Sequence, residues 1–276
     1  MNPHSSQPTS LLSLAKSLFQ HRQLIIQMSK REVVGRYRGS FMGLAWSFFN
    51  PVLMLAVYTF VFSFVFRAKW GVGGEESKTE FAVVLFVGMI IHGLFAEVIN
   101  RAPGIILSNV NYVKKVVYPI EILPVIAMGG ALFHTLISIS VLLTAFILLN
   151  GFLYWTILLI PLILLPLIFL TLGFAWLLAS LGVFIRDVGQ TIGIITTVML
   201  FLAPVFYPLS ALPDKYQIYL FINPLTFIIE QSRQVLIFGQ LPDWDGLAVY
   251  GIASILIAWL GYWWFQKTRK GFADVL

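Results

Sequence analysis

Long charge-free apolar windows alternate with short polar, basic or acidic segments along this chain of 276 residues. A helix needs ~20 mostly apolar residues to cross ~30 Å of hydrocarbon. Such windows run from Ser40 to Phe66, from Phe81 to Ile99 with Glu97 near the end, and from Ile122 to Ile185. Two more run from Val188 to Pro213 and from Gly246 to Gln266. The Ile122–Ile185 window holds 64 residues without a formal charge, room for two crossings, and Asn150-Gly151 is the turn signal between them. The pattern predicts an all-α integral membrane protein, a single transmembrane domain over 1–276. Its six transmembrane helices fall at about 41–66, 81–99, 122–149, 154–182, 188–210 and 246–266.

Three segments do not span. From Ser10 to Met28, Leu11, Leu14, Ala15, Leu18 and Ile25 share one helical arc, with Ser13, Lys16, Gln20, Gln23 and Gln27 opposite. That spacing predicts an N-terminal interfacial amphipathic helix over 10–31. Arg22 falls on the apolar arc and has to snorkel; Leu24 falls on the polar one. Residues 100–121 form a connection of about 22 residues, long for a helical bundle. Between spans five and six, Tyr219–Ile229 is apolar but too short to cross, and Asn223-Pro224 splits it. We expect an extracytoplasmic re-entrant helical hairpin there.

Composition agrees: 59% of residues are hydrophobic and 11% charged, where soluble domains run near 45–50% and about 25%. Mean hydropathy is +0.88. The net charge of +6 matters through its distribution. With six spans, thirteen of the eighteen Lys and Arg fall on the side of the N-terminus and five on the other, where Glu75, Glu76, Glu80, Asp214, Glu230, Asp243 and Asp245 also lie. Lys and Arg are retained inside, so both termini of this multi-pass protein are expected in the cytoplasm. Residues 1–40 show no apolar run before a small-residue cleavage site.

Several chemistries are missing from the pattern. Cysteine is absent, which excludes disulfides, thiolate nucleophiles and Cys-bound metal. No G-x-x-x-x-G-K-[ST] run, H-E-x-x-H, EF-hand loop or G-x-S-x-G occurs. His4, His21, His92 and His134 do not recur at ligand spacing, so neither a catalytic residue nor a metal site is assigned. His92 and His134 lie within spans, either as functional groups or as neutral rings bonding across a helix interface. Carboxylates are missing from the span centres, Glu97, Glu121 and Asp187 being near the boundary. Proton coupling is therefore not expected, and the driving energy comes from elsewhere.

Three runs carry chemistry. Arg31 to Ser40 contains Arg36, Tyr37 and Arg38 at headgroup level, where guanidinium groups bind phosphate bidentately or simply anchor the chain to anionic lipid. Gly35, Gly39 and Gly43 recur every four residues and would allow close backbone approach in a helix, as would Gly189-x-x-x-Gly193. Pro51, Pro161, Pro166, Pro204 and Pro208 free helical carbonyls, either as kinks or as breaks lining a cavity. Tyr58, Phe62 and Phe66 follow at i+4 in span one, and Phe201 and Phe206 lie in span five. Such rings face lipid, or line a path and stack on sugar.

Taken in order, several of these runs resemble the permease subunits of bacterial type-two ABC exporters, specifically those that export polysaccharides. The matching residues are Arg36-Tyr37-Arg38 with Ser40, Gly43 and Trp46, Asn50-Pro51, the run from Val113-Lys114-Lys115 through Tyr118-Pro119 and Glu121 to Pro124, Arg186-Asp187, and Ala203-Pro204-Val205 through Tyr207-Pro208. The resemblance covers about residues 20–265. It implies a homodimer engaged by two copies of a cytoplasmic ATP-binding subunit that carries the ATP and magnesium, this chain binding no cofactor, hydrolysing nothing itself and having no nucleic-acid partner. By similarity, Arg36, Tyr37 and Arg38 would receive the pyrophosphate of a lipid-linked glycan entering from membrane lipid beside span one. Tyr58, Phe62, Phe66, Phe201 and Phe206 would line the glycan path. The 100–121 segment, with Asn109, Asn111, Lys114, Lys115 and Glu121, would dock on the ATPase.

O-antigen, capsule and teichoic acid exporters share these runs, so the glycan stays open. A drug or lipid exporter of the wider family is one alternative. A membrane-embedded enzyme acting on lipid-linked sugars is another, and would need an acid/base pair in one cavity, with His92 and His134 as its candidates.

Overall fold

A computed structural model describes residues 9–65, 78–114 and 118–275, and these are helical with no strand among them. In chain order the helices are α1 (Leu11–Gln20), α2 (Arg22–Tyr37), α3 (Trp46–Tyr58), α4 (Lys78–Arg101), α5 (Val110–Lys114) and α6 (Leu123–Asn150). Then follow α7 (Ile160–Phe184), α8 (Val188–Phe201), α9 (Asp214–Leu220), α10 (Pro224–Leu236), α11 (Trp244–Thr268) and α12 (Phe272–Val275). Among the described residues, five helical segments are long and apolar enough to cross a membrane: Gly43–Phe62, Phe81–Gly104, Ile120–Asn150, Trp155–Phe184 and Trp244–Gly271. They coincide with expected spans one, two, three, four and six. The expected end of span one at Phe66 lies outside the described residues.

Expected span five, 188–210, is a helix only as far as Phe201. Fourteen residues rise about 21 Å, short of the hydrocarbon thickness. The reason is local: Pro204 has no N–H for a helical bond, and its ring disfavours helical backbone at Ala203. Val205 N–H instead donates to Ala203 O at 2.7 Å, closing a tight turn. Beyond it, α9 and α10 meet at the Asn223-Pro224 break. Asn223 caps α10 through Leu225 N–H and donates from Nδ2 to Met199 O at 2.8 Å, folding the pair back against the last turn of α8.

Among the described helices, Pro124, Pro161 and Pro224 stand in first turns, whereas Pro51 and Pro166 are internal. Gly151, at φ +78°, ends α6 in the turn that Asn150-Gly151 predicts.

The core centres on α4, 78% of whose apolar window is buried inside the chain, against 11% for the segment containing α3. Glycine permits the tightest crossing, α7 against α11: a Cβ at Gly173 would stand 2.6 Å from Ile257 O, and one at Gly261 would overlap the Gly173 carbonyl. The expected glycine ladder 35–39–43 does something else. The helix ends at Tyr37, Gly39 and Gly43 adopt φ of +86° and +53°, and nothing lies within 4 Å of a Cβ at any of the three. Two of these glycines serve a turn rather than a helix contact. Gly189 and Gly193 likewise make no tight approach.

The N-terminal segment extends past the expected 31 to Tyr37, as α1 and α2 with a break at His21. Leu14 is buried, and Ser17 donates to Glu121 at 3.0 Å. Arg22 lies over the Phe19 ring at 4.4 Å and donates to its carbonyl. α2 runs alongside α6 in a fixed register: Ser29 donates to Ile126 O, and Arg36 and Tyr37 both meet His134.

A polar cavity between the first three spans

Where the end of α2 meets α3, α4 and α6, a cavity of about 250 Å³ opens, its polar end formed by Arg36, Tyr37, Glu97 and His134. Farther along lie Asn50, Tyr58 and Ser138. Arg36 Nη2 donates to Glu97 Oε1 at 2.6 Å. His134 Nδ1 is 3.1 Å from both Glu97 oxygens, and its Nε2 is 3.2 Å from the Tyr37 hydroxyl. Arg36 Nη1 also stands 3.2 Å from Nδ1, but a single ring nitrogen cannot both donate and accept. Glu97 can only accept, so we assign Nδ1–H to it and leave Nε2 to accept from Tyr37. Burial pushes the Tyr37 hydroxyl above the ordinary phenol range, which keeps it protonated and able to donate. Arg38 follows the last turn of α2 in extended backbone, exposed.

Of the expected aromatic set, Phe62 and Phe206 stack at 6.0 Å, Phe62 stacks on Phe81 at 5.6 Å, and Phe201 meets Phe206 at 5.6 Å. Residues Thr59–Val65 are a π-helical turn that continues α3 and carries Phe62. The turn holding Phe206 is fixed from α10. Arg233 is fully buried and donates to Val205 O and Val84 O, both at 3.2 Å, and to Glu230 at 2.7 Å. Tyr58 lines the cavity rather than joining this stack. Phe66 lies outside the described residues.

The docking set divides. Asn109 lines a second cavity, of about 620 Å³, with Arg31, Glu32, Arg101 and Tyr112, and its Nδ2 donates to Ile105 O at 2.8 Å. Asn111 on α5 is exposed, and Lys114 ends that helix. Lys115 lies outside the described residues. Glu121 is elsewhere: it is buried, accepts from Ser17 and from Arg269 at 2.9 Å, and its carbonyl accepts from Trp176. It ties α1 to the chain end beyond α11. Next to it, burial pushes the Tyr118 hydroxyl up to about 12.

His92 and His134 do not share a cavity. His92 is buried and its Nε2–H donates to Thr196 O at 2.9 Å, a helix-to-helix bond between α4 and α8. The partnership of Glu97 with His134 was not legible in the sequence, although each residue stood out alone as an ionisable group in a span. Arg233 was counted there only as one charge on the outer side.

Several membrane-length helices with a polar cavity between them, fixed charges at one end and aromatic rings beyond, define a multi-pass membrane protein. The ABC-2 type transporter family model matches residues 23–237, and the chain belongs to that family. It is 27% identical to the O-antigen export system permease protein RfbA of Myxococcus xanthus, over 96% of this chain and 99% of that protein. It is 25% identical to the protein of the same name from Klebsiella pneumoniae, over 92% and 95%. It is 22% identical to the polysialic acid transport protein KpsM of Escherichia coli, over 90% and 95%.

Proposed function

We propose that this chain is the channel-forming subunit of an ATP-driven exporter that moves a lipid-linked polysaccharide, O-antigen-like, out of the cytoplasm across the inner membrane. The observation that carries the reading is the cavity between α2 and the first three spans. Its hydrogen-bonding end, with the Arg36 guanidinium and the Tyr37 hydroxyl, suits a phosphorylated head, and rings lie beyond it. Full-length similarity to permeases named for O-antigen and polysialic acid export supports the choice of cargo.

The working unit on this reading is a homodimer, the mostly unburied α3 face turning toward the partner copy or the lipid. Two ATP-binding subunits dock around α5 and the 620 Å³ cavity and supply ATP and magnesium. Both termini are cytoplasmic, α8 with the turn after it makes the fifth crossing, and α9 and α10 enter from the outer side as a re-entrant pair. Sugar faces stack on rings without a fixed hydrogen-bond register, so a polymer can slide past Phe62, Phe201 and Phe206.

Deleting the chain in its own bacterium tests this. Lipid-linked glycan should accumulate inside the cell while surface polysaccharide disappears, and a plasmid copy should restore export. Unchanged surface polysaccharide would overturn the assignment.

A further inference from the structure

The helix pair α1–α2 presents three faces, not the two of a simple amphipathic helix. Hydrogen bonds from His21 N–H to Ser17 O and from Ile25 N–H to His21 O, both 2.9 Å, carry one helical register across the break. Leu14 is buried in the core, and Leu18, Ile25 and Met28 pack against it. Lys16, Gln20, Gln23 and Gln27 are exposed on a polar face roughly opposite. A third face runs along one flank between these two, and it is apolar. Leu12, Phe19 and Ile26, spaced by seven and so aligned along the helix, are 83%, 70% and 66% exposed. Leu11 and Ala15, also exposed, lie beside them. Of the arc expected to rest on the membrane, Leu14, Leu18 and Ile25 therefore face the protein, and only Leu11 and Ala15 face outward.

Arg22 stands on this third face. Its guanidinium lies over the Phe19 ring at 4.4 Å, and Nη1 donates to Phe19 O at 3.0 Å. The side chain is exposed and forms no ion pair among the described residues. A guanidinium carries five N–H donors in a rigid fork, so those not used on Phe19 O can meet a further acceptor.

We propose that this third face binds the bilayer surface and selects anionic phospholipid, with Leu12, Phe19 and Ile26 entering the acyl boundary and Arg22 donating to the lipid phosphate.

Charge and position choose lipid as the occupant. Residues 1–31 contain no Asp or Glu, and the first acidic residue, Glu32, is held by Arg101. Lys16, Lys30 and Arg31 are exposed as well and form no ion pair among the described residues. The helix pair thus presents an unopposed positive field, matched to an anionic membrane surface. It also lies next to the bilayer by connectivity, since only a short turn separates Tyr37 from the membrane-length segment Gly43–Phe62. The methylene stem of Arg22 can follow the apolar face while its head stays at phosphate depth. In phosphatidylcholine the phosphate is already balanced by the lipid's own ammonium. In phosphatidylglycerol it is not, so the guanidinium gains more from the anionic lipid.

Because the chain has no cysteine, a fluorescent probe can be placed at Ala15→Cys on the third face or at Gln23→Cys on the polar face. The purified full chain goes into nanodiscs holding brominated phosphatidylglycerol or brominated phosphatidylcholine, whose bromine quenches the probe on contact. The probe at 15 should be quenched and the one at 23 should not. At 15, competition between the two lipids should favour phosphatidylglycerol by ~5-fold or more, and Arg22→Gln should remove ~5-fold of that preference, the worth of one basic residue at an anionic surface. No quenching at 15 by either lipid overturns the bilayer face. Shielding of 15 that appears only when the ATP-binding subunit is added overturns it too, and makes the face a protein contact. Quenching at 15 with equal affinity for the two lipids, or with a preference unchanged in Arg22→Gln, overturns the selection of anionic lipid by Arg22.

Discussion

Replacing Phe62 and Phe201 by leucine separates packing from transport, because the two rings sit differently in one stack. Phe62 lies between Phe81 at 5.6 Å and Phe206 at 6.0 Å, with interplanar angles of 28° and 20°. An aromatic pair contributes ~0.5–1.5 kcal/mol beyond area burial, so losing two such pairs costs ~1–3 kcal/mol. At ~2–4 °C per kcal/mol, Phe62→Leu should lower the melting temperature in detergent by ~2–12 °C. Phe201 is 60% exposed and meets Phe206 at a tilt of 30°, so Phe201→Leu should cost less than about 1 kcal/mol. Melting followed by tryptophan fluorescence gives the first quantity. Surface glycan per molecule of inserted protein gives the second. If the rings line the glycan path, Phe201→Leu exports less while melting like wild type, and Phe62→Leu is impaired in both. Wild-type export in Phe201→Leu would refute the path, since leucine serves equally well against lipid or in a packed core. Phe62→Leu alone decides nothing, because a stability loss would reduce export whichever way the ring faces.

Gly261→Ala should lower melting by several degrees, since its Cβ would overlap the Gly173 carbonyl and force α7 from α11; Gly251→Ala on the same helix, whose Cβ would rest 4.0 Å from Pro166, should be near neutral. Equal melting of the two would contradict the backbone contact. Because the chain has no cysteine, Leu241→Cys should label with a membrane-impermeant maleimide in intact cells and Lys270→Cys only after lysis; the reverse would invert the proposed topology. A photo-crosslinker at the exposed Asn111 should reach the ATP-binding subunit, and capture of lipid alone would remove α5 from the docking surface.

Five membrane-length helices were legible in the sequence because the bilayer imposes a one-dimensional rule: backbone groups must be satisfied within a helix, over ~20 apolar residues. The Asn150-Gly151 turn and the Asn223-Pro224 break were legible for a related reason, since glycine and proline act on the backbone where they stand. Even the early end of α8 follows from Pro204, although hydropathy alone carried that span on to 210. Pairing across the fold was not legible. Glu97 is 61 residues from Arg36 and 37 from His134, and a helical period reports which face a residue occupies, not which helix it meets. The same limit misled the glycines. Spacing by four marked 35, 39 and 43, where two of the three serve a turn, and passed over Gly173 and Gly261, 88 residues apart, where two backbones touch. Arg233 shows the limit most plainly: in sequence it is one basic residue on the outer side. Glu230 stands beside it at i−3 on the same helix, but only the folding back of α10 onto α4 and the Ala203–Val205 turn gives its guanidinium two carbonyls as well, and so allows it to be buried at all.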